Sequence, residues 1–328
     1  MPVAAYAVAS DTGRRRLRNE DNYVVAPPLF AVADGMGGAQ AGEVASRLAA
    51  SALEGDGSER LEGLERLDAL IQEANRRIYD RASNDPSASG MGTTMTVALV
   101  EGMTVAIGHV GDSRAYLVRG EQMEQLTEDH SLVNELMKSG KLSEEEAQVH
   151  PQRSVITRAV GTDPDVDVDA FTIEAEENDV FLICSDGLTD MVEDEEILEL
   201  VHEHSEDLDK AVKSLVAAAN RVGGDDNITA VAFRISSDTR PNTGAEETVA
   251  MPALTGDDTE PDEQTREYVD RDPRTDTMVV PPDAVTEELE ASDATRQPAA
   301  DARRVRFVLI ALFLLVVAAA LIVWGLSR

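Results

Sequence analysis

The sequence predicts an α+β fold in which helices cover antiparallel sheets, followed by an acidic linker and one membrane-spanning helix. Three observations carry this expectation. Short apolar strands cluster between residues 93 and 126, joined by connections too short for a crossover. Helical patterns arrive in separated pairs instead of alternating with single strands. After Ser236 the chain turns to proline, threonine and acid, and it closes on a run of 20 residues, 307–326, without a charge.

Residues 3–9 and 29–33 combine β-branched and small apolar residues with polar or glycine punctuation, and read as strands. Residues 42–54 and 61–83 read as helices. In the second, Leu61, Leu64, Leu67, Ile71, Ala74 and Ile78 recur at three-to-four spacing, a stripe that must pack on something flat. Strands follow at about 93–100, 103–110, 114–119 and 122–126, and Glu101-Gly102 and Arg119-Gly120-Glu121 suit hairpins, so these four read as one antiparallel meander. Residues 130–149 are polar and helical, with a capping-box pattern in Leu142-Ser143-Glu144-Glu145-Glu146. Strands near 154–159, 166–173 and 179–184, helices over 194–203 and 207–221, and a last strand over 227–235 complete the pattern.

The 328 residues suffice for one large domain with appendages, and 42% hydrophobic content with only 4% aromatics implies an aliphatic, alanine-rich core. A net charge of −34 argues against nucleic acid, whose phosphates a binder must neutralise. The charge is uneven: −13 over residues 241–302, +4 over 303–328, and −25 over the first 240. An anionic domain acting on phosphate needs metal or arginine to offset this field. Cys184 is the only cysteine and lies in an apolar run, so no internal disulfide forms and an inert core thiol is expected. Met1-Pro2-Val3 leads straight into an alternating segment, and no signal peptide is expected.

Seven prolines among acids and threonines, with no sustained period, mark residues 237–305 as a disordered linker. Two of its pieces are alike, Glu247-Thr248-Val249-Ala250-Met251-Pro252 and Asp276-Thr277-Met278-Val279-Val280-Pro281. A threonine after an acid suits a kinase, although threonine recurs throughout this tail and composition alone accounts for the likeness. The run 307–326 covers about 30 Å as a helix, a bilayer's hydrocarbon thickness. Arg303, Arg304 and Arg306 precede it and Arg328 follows, which places the N-terminal domain in the cytosol, tail-anchored in the cell inner membrane.

The chemistry is read at strand ends. Val180-Phe181-Leu182-Ile183 closes on Cys184-Ser185-Asp186-Gly187, and three other acid-plus-glycine ends occur: Asp34-Gly35, Gly111-Asp112 and Gly224-Asp225-Asp226-Asn227. Read singly, each is an ordinary turn, because Asp and Gly dominate turns for backbone reasons. Together, acids held at the ends of buried strands would line an oxygen-rich cavity for hard cations.

The ordered set of Arg16 with Asn19-Glu20-Asp21, Asp34-Gly35-Met36-Gly37-Gly38, Gly90-Met91-Gly92-Thr93-Thr94, Gly111-Asp112-Ser113-Arg114, Ser185-Asp186-Gly187 and Asp225-Asp226-Asn227 resembles the metal-dependent Ser/Thr protein phosphatases, the PPM or type 2C family, in their bacterial membrane-anchored form. The likeness covers residues 1–236. It implies a four-layer αββα sandwich of two antiparallel sheets, with metals in a cleft at one end. It also implies that Asp34, the Gly35 carbonyl, Asp186 and Asp226 hold two Mn²⁺ or Mg²⁺ ions, and that Asp112 serves a third, looser one, although Asp112 also reads as a structural hairpin acid. Arg16 resembles the phosphate-clamping arginine, an assignment resting on its register with Asn19-Glu20-Asp21, since Arg14, Arg15 and Arg18 are neighbours. Glu20 and Asp21 would hold waters around the ions. The pair of ions would activate a water for in-line attack on phosphorus.

One departure stands out. Some animal members carry a histidine, read as general acid, where this chain has Met36, and methionine cannot donate a proton. His109, His130 and His150 remain, each readable as structural. Residues 131–160 resemble the family's flap beside the cleft, the alternative being a solvated surface helix. The expected partners are phosphorylated Ser/Thr proteins, kinases included, and the membrane. Two rivals are a catalytically silent phosphoprotein-binding scaffold, against which the intact acids speak, and a partner-switching phosphatase, for which no sensory domain is visible. Oligomeric state is not readable.

Overall fold

The computed structural model describes residues 2–37, 41–55, 61–237 and 278–279. The first half of the chain runs β1 (Val3–Asp11), β2 (Asp21–Ala26), β3 (Leu29–Met36), α1 (Ala41–Leu53), α2 (Gly63–Asn84), β4 (Gly92–Thr93), β5 (Met95–Glu101), β6 (Thr104–Val110), β7 (Arg114–Arg119) and β8 (Gln122–Gln125). The second half runs α3 (Leu132–Lys138), α4 (Glu144–Gln148), β9 (Val155–Ile156), β10 (Asp169–Glu174), β11 (Val180–Cys184), α5 (Asp186–Thr189), α6 (Asp194–Glu203), α7 (Leu208–Val222), β12 (Ile228–Ile235) and β13 (Met278–Val279).

One sheet has the order β1-β12-β11-β7-β8 and the other β10-β6-β5-β3-β2, with β4 added to β3. Every pairing within these two sheets is antiparallel. Period-two alternation in strands buried on both faces builds the layers. On β11, Phe181 and Ile183 face the opposite sheet, while Val180, Leu182 and Cys184 face α6 and α7. On β3, Phe30 and Val32 face inward, and Leu29, Ala31 and Ala33 meet α1 and α2. Phe30, Phe233 and Phe181 stack through the middle, with centroids 4.3 and 5.1 Å apart. The result is helices, sheet, sheet, helices, as the resemblance implied.

The structure corrects several expectations. The 93–126 strands are not one meander. β5 and β6 belong to one sheet and β7 and β8 to the other, so Gly111-Asp112 is the point where the chain crosses between sheets. The polar helix over 130–149 is two short helices, α3 and α4, broken at Gly140, whose φ is +71°; the Ser143–Glu146 capping box is present on α4. Leu61 precedes α2 and Leu64 is half-exposed, so the buried stripe runs through Leu67, Leu70, Ile71, Ala74 and Ile78. The strand near 154–159 shrinks to β9. Sequence reading missed β2, whose Tyr23-Val24-Val25 core was the available signal, and α5, too short to show a helical period.

Cys184 is fully buried, and burial pushes its thiol up to about 12, consistent with the inert thiol expected. Within the 237–305 segment, Met278 and Val279 pair in parallel with Val155 and Ile156, a departure from a structureless linker. Apart from Ser237, its remaining residues, and the apolar run 307–326, lie outside the described residues. Among those described, no helix is long and apolar enough to cross a membrane.

Candidate metal centre

β2 and β3 place Asp21 directly across from Asp34 in the ladder. The Asp34 carboxyl lies within hydrogen-bonding reach of both the Asp21 and the Asp186 carboxyls. Asp226 adds its charge to all three, and Asp112 adds its own to Asp34 and Asp186. Carboxylates from five separate segments therefore meet at one end of the sandwich. Burial is the largest cause pushing each of them up. Asp21 rises to about 6, with Asp226 as a repelling neighbour, and Asp112 to about 7, with Asp129 and Asp190 beside it. Asp34 and Asp186 rise well above the usual carboxylate range. Asp226 rises too, although Arg16 counteracts its burial.

Two carboxylates can share a contact only with a proton or a cation between them. Asp21 Oδ1 and Asp186 Oδ1 are buried with no hydrogen-bond partner. Such orphaned acceptors in an all-oxygen donor set suit Mn²⁺ or Mg²⁺, so the residues present fit the implied ions. Among the described residues, no three acidic, histidine or cysteine side chains form a cage able to hold an ion by themselves. Ions that keep several of their own waters need fewer protein ligands than a closed cage supplies.

The supports of these carboxylates were largely invisible in the sequence. Thr94 Oγ1 accepts the Asp34 N–H at 3.0 Å and contacts Ser113 Oγ at 2.7 Å, while Thr93 Oγ1 donates to the Asp34 carbonyl at 2.7 Å. Ser185 Oγ donates to Asp21 Oδ2 at 2.8 Å and accepts the Thr229 N–H. Asn227 Oδ1 accepts the Glu20 N–H at 2.7 Å, and its amide donates to the Thr12 and Arg18 carbonyls. Glu20 uses its carbonyl to accept the Gly35 N–H and the Ser46 hydroxyl. The glycines answer to packing. A Cβ on Gly35 would sit 2.1 Å from the Gly42 carbonyl oxygen, and one on Gly187 2.0 Å from that of Asn227. Gly35 is thus required by the close approach of α1. Replacing Thr94 by Val keeps the shape but orphans the Asp34 N–H. Urea unfolding should then show a loss of about 1–3 kcal/mol.

The four arginines separate cleanly. Arg14 pairs with Asp11, Arg15 with Asp225, and Arg18 lies 3.8 Å from Glu43. Arg16 Nη2 donates to Asp226 Oδ2 at 2.7 Å, which puts its guanidinium on the rim of the acidic floor. A cleft that includes Asp226 is lined by Asp186, Asp190, Asp225, Arg153 and Ser154 as well. Asp190 and Arg153 were not singled out in the sequence, and Asp225 was named there only as a neighbour of Asp226. Asp190 follows Asp186 by one helical turn, which was the available signal.

His109 and His130 are structural. His109 is fully buried, bonded to Thr96 and the Glu128 carbonyl, and burial lowers it to about 4. His130 accepts the Gly111 N–H and bonds Asp169. Met36, at the departure position, packs with Ile156 and Ala159 and so anchors the 131–160 segment to the end of β3. Leu132, Leu136 and Val155 give that segment a small core of its own, more than a solvated surface helix has.

A β-sandwich carrying buried, orphaned carboxylates at one end, with an arginine on the rim, defines a divalent-metal hydrolase for anionic esters. The chain belongs to the protein phosphatase 2C family, whose model matches residues 14–229. It is similar to the serine/threonine phosphatase stp of Listeria innocua, at 41% identity over 231 residues, covering 67% of this chain and 91% of that one. It is also similar to the serine/threonine protein phosphatase PstP of Mycobacterium tuberculosis, at 39% identity over 258 residues, covering 78% of this chain and 49% of that one. Among solved structures, the M. tuberculosis PstP/Ppp phosphatase superposes with a TM-score of 0.68 at 40% identity, covering 71% of this chain and 99% of that one. The PstP catalytic domain in complex with two manganese ions gives 0.66 at 38%, with the same coverage.

Proposed function

We infer that this chain is a metal-dependent phosphoprotein phosphatase that hydrolyses phosphoserine and phosphothreonine. The gathering of Asp21, Asp34, Asp186 and Asp226 around buried oxygens with no partner carries this reading. Two Mn²⁺ or Mg²⁺ ions, when bound, supply the positive charge that offsets these carboxylates and lowers the pKa of the attacking water. Asp34, the Gly35 carbonyl, Asp186 and Asp226 would hold them, and Asp112, beside Asp129 and Asp190, would hold a third. Asp21, fixed by Ser185, and Glu20, fixed through its backbone, orient water at the floor. Arg16 exchanges the Asp226 carboxylate for two phosphate oxygens, a fork that lysine cannot reproduce. Hydrolysis of p-nitrophenyl phosphate and of a phosphothreonine peptide by the full chain should require Mn²⁺ or Mg²⁺ and stop with EDTA. Equal rates in chelator would overturn the reading.

The same reading extends to the domain plan: residues 1–236 catalytic, 237–305 a linker, and 306–328 an inner-membrane anchor with the catalytic domain cytoplasmic. The charge-free run and the three arginines before it support this. The tether would raise the enzyme's local concentration near membrane kinases and their phosphorylated products. Changing Leu314 and Leu315 to Arg should move the protein from the carbonate-resistant membrane fraction to the supernatant. A wild-type protein already in the supernatant removes the anchor from the plan.

A further inference from the structure

The turn that carries Asp112 is held from both sides. On one side Thr96 Oγ1 donates to the Ser113 carbonyl at 2.8 Å, and Ser113 Oγ meets Thr94 Oγ1. On the other stands His130. Its N–H donates to the Gly111 carbonyl at 2.8 Å, and its Nδ1 accepts the Gly111 N–H at 3.0 Å. One residue thus takes up both polar groups of the Gly111 backbone. The second bond also fixes the ring, because an imidazole that accepts at Nδ1 is neutral and carries its proton on Nε2. Asp169 Oδ2, 3.2 Å away, accepts the Nε2–H, and Arg158 Nη1 donates to the other Asp169 oxygen at 2.6 Å. Arg158 Nη1 also lies 3.1 Å from Nε2, and since two donors cannot bond, Asp169 is what joins them. Burial and the Arg158 charge both push His130 down, in keeping with a neutral ring.

We propose that His130 is the positioning residue for a cation site at Asp112, its Nδ1 lone pair fixing the Gly111 backbone that aims the next side chain; the proposal rests on the metal reading of Asp112 above. Asp112 is buried and its carboxyl is bonded by its own N–H, so its direction follows from the backbone around it. Gly111 is the weak point of that backbone. Its φ of +110° is one that glycine alone adopts freely, and glycine by itself would leave the turn loose. The Gly111 N–H belongs to the peptide before this residue and its carbonyl to the peptide after it. Holding both, His130 sets φ and ψ together and supplies the rigidity that glycine lacks. His130 is itself anchored, because its carbonyl accepts the Thr157 N–H at 2.8 Å and its ring shares Asp169 with Arg158. An ion held by few protein ligands and many waters depends strongly on such outer support.

The test compares His130→Asn with His130→Leu in the full chain. The two new side chains share a shape, and only asparagine offers an acceptor near the Nδ1 position. In EDTA, leucine should speed hydrogen exchange at the Gly111 amide about tenfold, and asparagine should keep it within about threefold of wild type. In calorimetric titrations, leucine should weaken the weakest of three bound Mn²⁺ ions about tenfold or more and leave the two tighter ones unchanged. Asparagine should again stay near wild type. The ¹⁵N shifts of the metal-free wild type should show the His130 proton on Nε2 at neutral pH. Equal losses in the two variants overturn the proposal, since they leave His130 a packing role only. A proton on Nδ1 overturns it even if the leucine variant does not fold, and so does a wild type that takes up only two ions. None of these readouts involves turnover. A protein that passes them yet leaves a phosphothreonine peptide intact loses the phosphatase reading alone.

Discussion

Asp186→Asn is expected to lower p-nitrophenyl phosphate turnover by about 10²–10³-fold, the size associated with removing one preorganised electrostatic group. The same substitution should raise the melting temperature of the metal-free protein. The two effects share a cause. Asp186 is buried at the N-terminus of α5, and burial, Asp112 and Asp226 all oppose its charge. One of its oxygens has no partner. A neutral amide of the same shape relieves that repulsion and removes a ligand for a cation. Circular dichroism melts in EDTA and steady-state rates in Mn²⁺ would separate the two. Turnover within tenfold of wild type would exclude Asp186 from the metal floor, and a lower melting temperature in EDTA would contradict the electrostatic account.

The second large effect is a pH-dependent stabilisation by divalent cation. An acid whose folded-state value lies above its unfolded one contributes stability below the unfolded value, near 4, and loses it as pH rises through the folded value. Asp21 at about 6 and Asp112 at about 7 place that loss between pH 4 and 7, and Asp34 and Asp186 extend it upward. His109, lowered to about 4 by burial, works in the opposite sense, its contribution vanishing as pH falls from about 6.5. Comparing melts with and without Mn²⁺ at each pH cancels that opposing contribution. The Mn²⁺-induced rise should be small at pH 5 and large at pH 7.5. At a hundredfold excess over Kd it corresponds to about 2.7 kcal/mol. For a domain of this size that is roughly 5–10 °C. A shift independent of pH would mean that the cation displaces no protons from these carboxylates.

How much of this was legible beforehand follows from what each residue depends on. β11 and β12 could be read because strands buried on both faces are continuous apolar runs, and an acid ending such a run stands out against it. Asp34, Asp186 and Asp226 announced themselves that way. Asp21 was marked only by resemblance, because its meaning is a ladder pairing with Asp34. Ser185, Thr94 and Asn227 stood in the quoted motifs, but their roles could not be read, since each acts on a residue distant in the chain, such as Asp21 at 164 positions from Ser185. The crossing of the chain between sheets at Gly111-Asp112 was hidden for a related reason. A short connection says that two strands are neighbours in sequence, and only packing decides whether they also pair.

The sequence by itself determined most of the strands and the longer helices, the aliphatic core, the acids at the strand ends and the anionic character that calls for a cation. These follow from periodicity and composition, which act over a few residues. Tertiary structure alone decided which of four neighbouring arginines meets Asp226, why Gly35 tolerates no side chain, that Met36 anchors the 131–160 segment, and that a linker strand lies beside the cleft. Each is a contact between segments far apart in the chain, set by how two sheets and their helices close on one another, and local patterning carries no record of it.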